Sequence, residues 1–94
     1  MTKKPNVIVF FTDQQRWDSM GLYGNPLDLT PNLDRMALEG THCFNGFTCQ
    51  PVCAPARAVL QTGKYATTTG VWRNGILLEK EQKTMAQYFK EGGY

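Results

Sequence analysis

Cys53 stands two residues before Pro55 and four before Arg57, in the run Cys53-Ala54-Pro55-Ala56-Arg57-Ala58-Val59-Leu60-Gln61-Thr62-Gly63. Proline suits the first turn of a helix and Gly63 supplies a stop, so the run predicts a helix with Cys53 at its N-terminal mouth. At such a mouth, free backbone N–H groups and the helix macrodipole favour an anion, whether a thiolate or a group made from it. Arg57 follows one turn later, able to fork two donors onto an oxyanion or onto the nucleophile itself. The same residues also admit a plainer arrangement, a buried cysteine at a helix start beside an exposed arginine.

The surrounding sequence predicts the elements that would carry this corner. Asn6 to Thr12 is a continuous β-branched and aromatic run, expected for a parallel strand buried on both faces, and it ends at Asp13-Gln14-Gln15. In open α/β sheets ligands collect at the carboxyl ends of strands, so these polar groups are well placed for a site. Asp18 to Thr30, with Gly21, Gly24, Asn25 and Pro26, reads as an irregular loop. Thr30 then caps a helix with Pro31 in its first turn, an apolar stripe of Leu33, Met36 and Ala37, and a stop at Gly40. Thr41 to Thr48 is a weaker strand or extended segment, Tyr65 to Leu78 a loop rich in glycine and threonine. Thr84 to Lys90 suggests a helix with Met85, Tyr88 and Phe89 on one side, closed by Gly92-Gly93. There is no internal repeat, low-complexity tract or interdomain linker.

Ninety-four residues make a small domain, short for a doubly wound α/β enzyme that must cover both faces of its sheet. A hydrophobic content of 41% with 19% charged residues describes a packed protein and not a disordered tail. The net charge of +2 comes from scattered residues, which gives no footprint for nucleic acid or a membrane surface. The polar start Met1-Thr2-Lys3-Lys4-Pro5 leads into an apolar run too short for a signal-peptide core or a membrane span. If Met1 is the true start, a cytoplasmic location is expected. Cys43, Cys49 and Cys53 are an odd number without a secretory signal, which argues against a disulfide framework.

The Cys53-x-Pro55-x-Arg57 run, with Val59-Leu60 and Thr62-Gly63 after it, resembles the sulfatase signature. Upstream, Lys4-Pro5-Asn6-Val7 through Thr12-Asp13-Gln14 is similar to the family's first strand and metal-binding turn. Thr30-Pro31-Asn32-Leu33-Asp34-Arg35 through Glu39-Gly40 is similar to its first helix. The resemblance implies an α/β fold, the N-terminal part of an alkaline-phosphatase-like sheet flanked by helices, with residues 1–94 belonging to a single catalytic domain. It implies that a maturation enzyme oxidises Cys53 to formylglycine. The hydrated aldehyde then attacks the sulfur of a sulfate ester, and its second hydroxyl expels sulfate by re-forming the aldehyde. Arg57 would hold the hydrate and neutralise the transferring group. Asp13, Gln14 and the residue made from Cys53 would be metal ligands. A hard carboxylate and a neutral carbonyl oxygen suit Ca²⁺, with Mn²⁺ or Mg²⁺ as other hard ions. Many sulfatases carry a second aspartate where this chain has Gln14, which makes the site less negative. The substrate would be a small sulfate ester or a sulfated glycan.

Asn74, in Trp72-Arg73-Asn74-Gly75, falls where related hydrolases place an amide that touches substrate oxygens, and Asn-Gly is equally an ordinary turn dipeptide. Lys64 matches a basic position expected to support the helix end. His42, Cys43, Cys49 and Cys53 lack the paired spacing of a zinc knuckle, so Cys43 and Cys49 are expected as small buried hydrophobes and His42 as a residue that packs or binds backbone beside a strand. Trp17, Tyr23 and Trp72 either shape a substrate mouth or cover the core. The family's later lysine, histidine and second acidic ligand pair fall beyond these residues, and Gly93-Tyr94 matches only the opening of its second signature. The 94 residues alone are therefore expected to be inactive. Two other readings stand beside sulfatase: a phosphonate monoester or phosphodiester hydrolase of the same superfamily, and a non-enzymatic cysteine redox or metal-binding module.

Overall fold

The computed structural model describes residues 3–94, so the predicted polar start at Met1-Thr2 lies outside the described residues. The chain divides into two compact units, Phe11–Gly46 and a second made of Phe47–Tyr94 with the stretch up to Phe10. No helix among the described residues is long and apolar enough to cross a membrane.

In Phe11–Gly46 the segment expected to be an irregular loop contains two 3-10 turns, Trp17–Ser19 and Gly21–Tyr23. Helix α1, Pro31–Glu39, follows, with Pro31 in its first turn and Gly40 at its end as expected. Thr30 is the N-cap residue, yet its side chain makes no cap hydrogen bond. Its Oγ1 instead accepts the Gly21 N–H at 3.1 Å and donates to Asp34 Oδ1 at 3.1 Å. Asp34 Oδ1 also accepts the Leu22 N–H at 3.0 Å, so a carboxylate on the first turns of α1 ties down the preceding 3-10 turn. Asn25 holds the connecting loop by donating to the Asp18 carbonyl at 3.0 Å and accepting the Leu27 N–H at 2.9 Å. The expected apolar stripe is only partly used: Leu33 and Ala37 are half-buried, whereas Met36 is 63% exposed. Tyr23 collects the aromatic residues, meeting Trp17, His42 and Phe44 edge-on at centroid distances of 5.8, 6.4 and 5.3 Å. Its hydroxyl donates to the Cys43 carbonyl at 3.2 Å. His42 is thus a packing residue, and this unit holds together through polar ties and ring edges, since every buried described residue lies in the other one.

The second unit is built on α2, Cys53–Thr62, with Val52 as N-cap and Gly63 as C-cap. Gly63 takes the left-handed φ of 66° that lets its N–H reach the Val59 carbonyl at 2.8 Å. Residues 55, 58 and 62 recur at helical spacing, and Pro55, Ala58 and Thr62 are all buried. Against them lies α3, Ala66–Thr69, inside the segment expected to be loop. Its three threonines are poor helix formers, which hides it in the sequence, but the Gly70 cap at φ 76° closes it. Ala66, Thr69 and Val71 complete the core, with Val71 only 2% exposed. The buried hydroxyls of Thr62 and Thr69 donate to the Ala58 and Ala66 carbonyls at 2.7 and 3.3 Å. Helix α4, Met85–Glu91, packs on α2. Its start is fixed by the Thr84 N–H donating to Gln87 Oε1 at 2.6 Å. Met85 and Phe89 are half-buried as expected, whereas Tyr88 is turned out at 54% exposed.

Asn6 to Thr12, expected as a strand, and Thr41 to Thr48, expected as a weaker strand or extended segment, form no strand among the described residues. A doubly buried strand needs a neighbour on each edge and cover on both faces, and none of the described segments supplies these. Exposure nevertheless alternates from Val7 (52%) to Ile8 (88%), Val9 (52%) and Phe10 (81%). Val7 and Val9 line a groove of about 330 Å³ walled by Met85 and Phe89 of α4, so one side of the stretch is partly covered.

Two substitutions test these anchors. A Cβ on Gly21 would clash with Asp34 Oδ2, so Gly21→Ala must shift the carboxylate whose other oxygen holds the Leu22 N–H and the Thr30 hydroxyl. It is expected to destabilise by about 1–3 kcal/mol in denaturant unfolding. Val71→Ala empties the core beside α2 and is expected to cost about 2 kcal/mol in the same measurement.

Candidate active site at the mouth of the second helix

Cys53 is the first residue of α2, and its thiol is free and exposed. That excludes the plain arrangement of a buried structural cysteine. It is exposed because the buried stripe of α2 runs through Pro55 and Ala58, which turns position 53 outward. Arg57, one turn on, is exposed and reaches back so that its Nη1 donates to the Cys53 carbonyl at 3.5 Å. Thiol and guanidinium therefore share one end of one helix, as their spacing predicts.

The same end receives a residue from further along the chain. Asn74 Oδ1 accepts the Ala54 N–H at 2.9 Å, across a sequence separation of 20. The Asn-Gly dipeptide does form a turn, with Gly75 at φ 87°, but the amide is also a tertiary cap on α2. The expected open row of first-turn donors is accordingly reduced. The Ala54 N–H goes to Asn74, Pro55 has none, and the Ala56 N–H goes to the Val52 carbonyl at 2.9 Å. Beside Asn74, the Arg73 guanidinium stacks over the exposed Trp72 ring at 5.0 Å. At the other end of α2, Lys64 Nζ donates to Gln82 Oε1 at 2.8 Å, the support expected of it.

Asp13 and Gln14 belong to the Phe11–Gly46 unit. Gln14 has a left-handed φ of 52°, a conformation that costs a side-chain-bearing residue about 1 kcal/mol or more. It makes a sharp turn at the end of the apolar stretch. As a donor set the pair fits part of a hard-cation shell, with one carboxylate and one carbonyl oxygen. Among the described residues no three His, Cys, Asp or Glu side chains gather as a metal cluster. Cys43 and Cys49 are exposed, against the expectation of burial, because the segments that carry them have no strand partner to cover them.

The Asn74 cap and the Asp34 network were not visible in the sequence, since each joins groups whose pairing depends on the fold. A signal did exist for the α4 start, where Thr84-x-x-Gln87 has the spacing of a capping box.

The family model described as Sulfatase matches residues 5–94. The chain is 45% identical over 93 residues to the uncharacterized sulfatase YidJ of Escherichia coli, covering 98% of this chain and 18% of that protein. It is 44% identical over 91 residues to an ulvan-active sulfatase of Formosa agariphila, covering 97% and 18%. It is 34% identical over 93 residues to an N-acetylglucosamine-6-O-sulfatase of Bacteroides thetaiotaomicron, covering 99% and 17%. The chain thus spans about a fifth of the length of the curated relatives it matches. No solved structure matches it. With a family match over nearly its whole length and Cys53-x-Pro55-x-Arg57 set at a helix mouth, the chain belongs to the sulfatase family.

Proposed function

We propose that this protein, at full length, hydrolyses sulfate esters, with residue 53 as the nucleophile after oxidation of its thiol to formylglycine. The observation that carries this reading is the placement of Cys53, exposed at the first position of α2 with Arg57 one turn behind it. The hydrated aldehyde supplies an oxygen nucleophile. An exposed thiol at a helix start is reachable by a maturation enzyme. Arg57 contributes a fixed positive charge beside residue 53, where charge develops on the transferring group. Relatives named for ulvan and for N-acetylglucosamine-6-O-sulfate favour a sulfated glycan as substrate over a simple small ester.

Asp13 and Gln14 are proposed as two oxygen ligands of a divalent cation, with Ca²⁺ favoured by the hardness of both donors. The cation, when bound, would neutralise charge on the ester oxygens. The left-handed Gln14 supports a functional turn, because backbone strain of this kind is kept where geometry matters. In the same reading residues 6–12 form the first strand of an alkaline-phosphatase-like sheet. Their alternating exposure and the half-covered Val7 and Val9 support it.

One observation favours a second substrate class. Gln14 in place of a second carboxylate lowers the negative charge of the cation site, which suits a phosphonate monoester or phosphodiester hydrolase of the same superfamily. Side-by-side turnover of an aryl sulfate and an aryl phosphonate ester by the full-length protein separates the two. The sulfate is expected to have the higher kcat/KM, and the reverse order would reassign the substrate.

Three further outcomes are expected. Mass spectrometry of the Cys53 peptide after co-expression with a formylglycine-generating enzyme should show the loss for thiol-to-aldehyde conversion; a persistent thiol would instead favour a cysteine redox module. Arg57→Ala in the full-length enzyme should lower kcat/KM by about 10²–10³-fold. Gln14→Asp should tighten Ca²⁺ binding by about tenfold in calorimetric titration, since it adds a charged ligand oxygen.

A further inference from the structure

We infer that Asn74 is a positioning residue for residue 53, acting through the first peptide plane of α2 and not through contact with the ester. The inference deepens the hydrolase reading above and rests on it. The donor side is unambiguous: a backbone N–H at Ala54 requires an acceptor, so it is the carbonyl end of the Asn74 amide that faces it, at 2.9 Å.

The peptide unit concerned is the one joining residues 53 and 54. Its N–H is held by Asn74 Oδ1, and its carbonyl, that of Cys53, receives Arg57 Nη1 at 3.5 Å. A peptide unit is planar and stiff, so gripping both ends of it fixes the Cα of residue 53 and the direction in which its side chain leaves the helix. Such fixation matters at a helix terminus, where the first turn lacks intrahelical partners for its N–H groups and tends to fray.

Asn74 is itself tied to the core. Val71, three residues earlier, is 2% exposed, and its N–H donates to the buried Thr69 Oγ1 at 3.3 Å. Gly75 at φ 87° then turns the chain away directly after the amide. The path from α3 through Val71 to Asn74 is therefore a short strut between the core and the nucleophile's end of α2. A near-attack geometry depends on a support of this kind, since small misplacements of a reacting atom cost rate steeply.

Two substitutions in the full-length protein separate positioning from ester contact. Asn74→Ala removes the acceptor and the amide N–H donors together. Asn74→Asp keeps an acceptor oxygen at the same reach, removes the donors and adds a negative charge. The readouts are hydrogen exchange at the Ala54 amide and the kinetics of aryl sulfate hydrolysis.

Asn74→Ala should speed Ala54 exchange by about tenfold, the scale of a lost helix cap, while amides deeper in α2 such as Gln61 keep their protection. Its kcat should fall with KM little changed, and Asn74→Asp should restore both Ala54 protection and part of kcat. Unchanged Ala54 exchange in Asn74→Ala would overturn the inference. So would Asn74→Asp being slower than Asn74→Ala, the order expected if the amide met the anionic ester directly. If the unaltered protein turns over no aryl sulfate, the hydrolase reading fails, and the exchange comparison still decides whether Asn74 holds residue 53.

Discussion

Pro55, Ala58 and Thr62 give α2 a narrow buried stripe, and their small size lets α3 and Val71 close onto it. Two consequences follow from that approach. Position 53 is rotated off the buried stripe and into solvent, which makes its thiol accessible. The chain leaving Val71 is carried to the N-terminal end of α2, within reach of the Ala54 amide. A bulkier residue at position 58 would lift α3 away and displace both. The buried threonines fit this geometry because each spends its hydroxyl on a carbonyl of its own helix, and no buried side-chain oxygen or nitrogen is left unsatisfied among the described residues.

The Phe11–Gly46 unit solves a different problem. With no buried side chain among its residues, it depends on directional contacts, in which Asp34 and Thr30 hold the Gly21–Tyr23 turn and Tyr23 holds the aromatic rings. Because Gly21 packs against Asp34 with no room for a Cβ, its lack of a side chain matters more than its freedom of rotation. Hydrogen-bonded shells of this sort are geometrically exact but add little net free energy per contact.

What could be read from the sequence follows from the range over which each signal acts. Pro31 with Gly40, and Pro55 with Gly63, are local punctuation, and both helices begin and end where those residues place them. The reach of Arg57 back to residue 53 follows from helical spacing, whereas the exposure of Cys53 follows from the burial of Pro55 and Ala58. Three features escaped because they depend on distant partners or on overridden propensity. The threonine run of α3 is helical through packing and not through preference. Thr30 gave up its cap to bind Gly21 and Asp34. Asn74 reads equally as a turn residue and as a substrate contact, and nothing in Asn-Gly records that the amide oxygen ends on Ala54. The strand expected at residues 6–12 to be buried on both faces shows alternating exposure instead, and lacks the neighbours that define a ladder.

That last stretch carries a consequence for the handling of these residues in solution. Ile8 and Phe10 point the same way along the alternation and are 88% and 81% exposed, in a β-prone run, Asn6 to Thr12, that carries no charge of its own. A row of this kind is a template for pairing with an identical row on another molecule, the first step toward fibrillar aggregates. The β-branched and aromatic residues of this stretch are therefore also points of misassociation. Covering that row is a condition for keeping such molecules apart in solution.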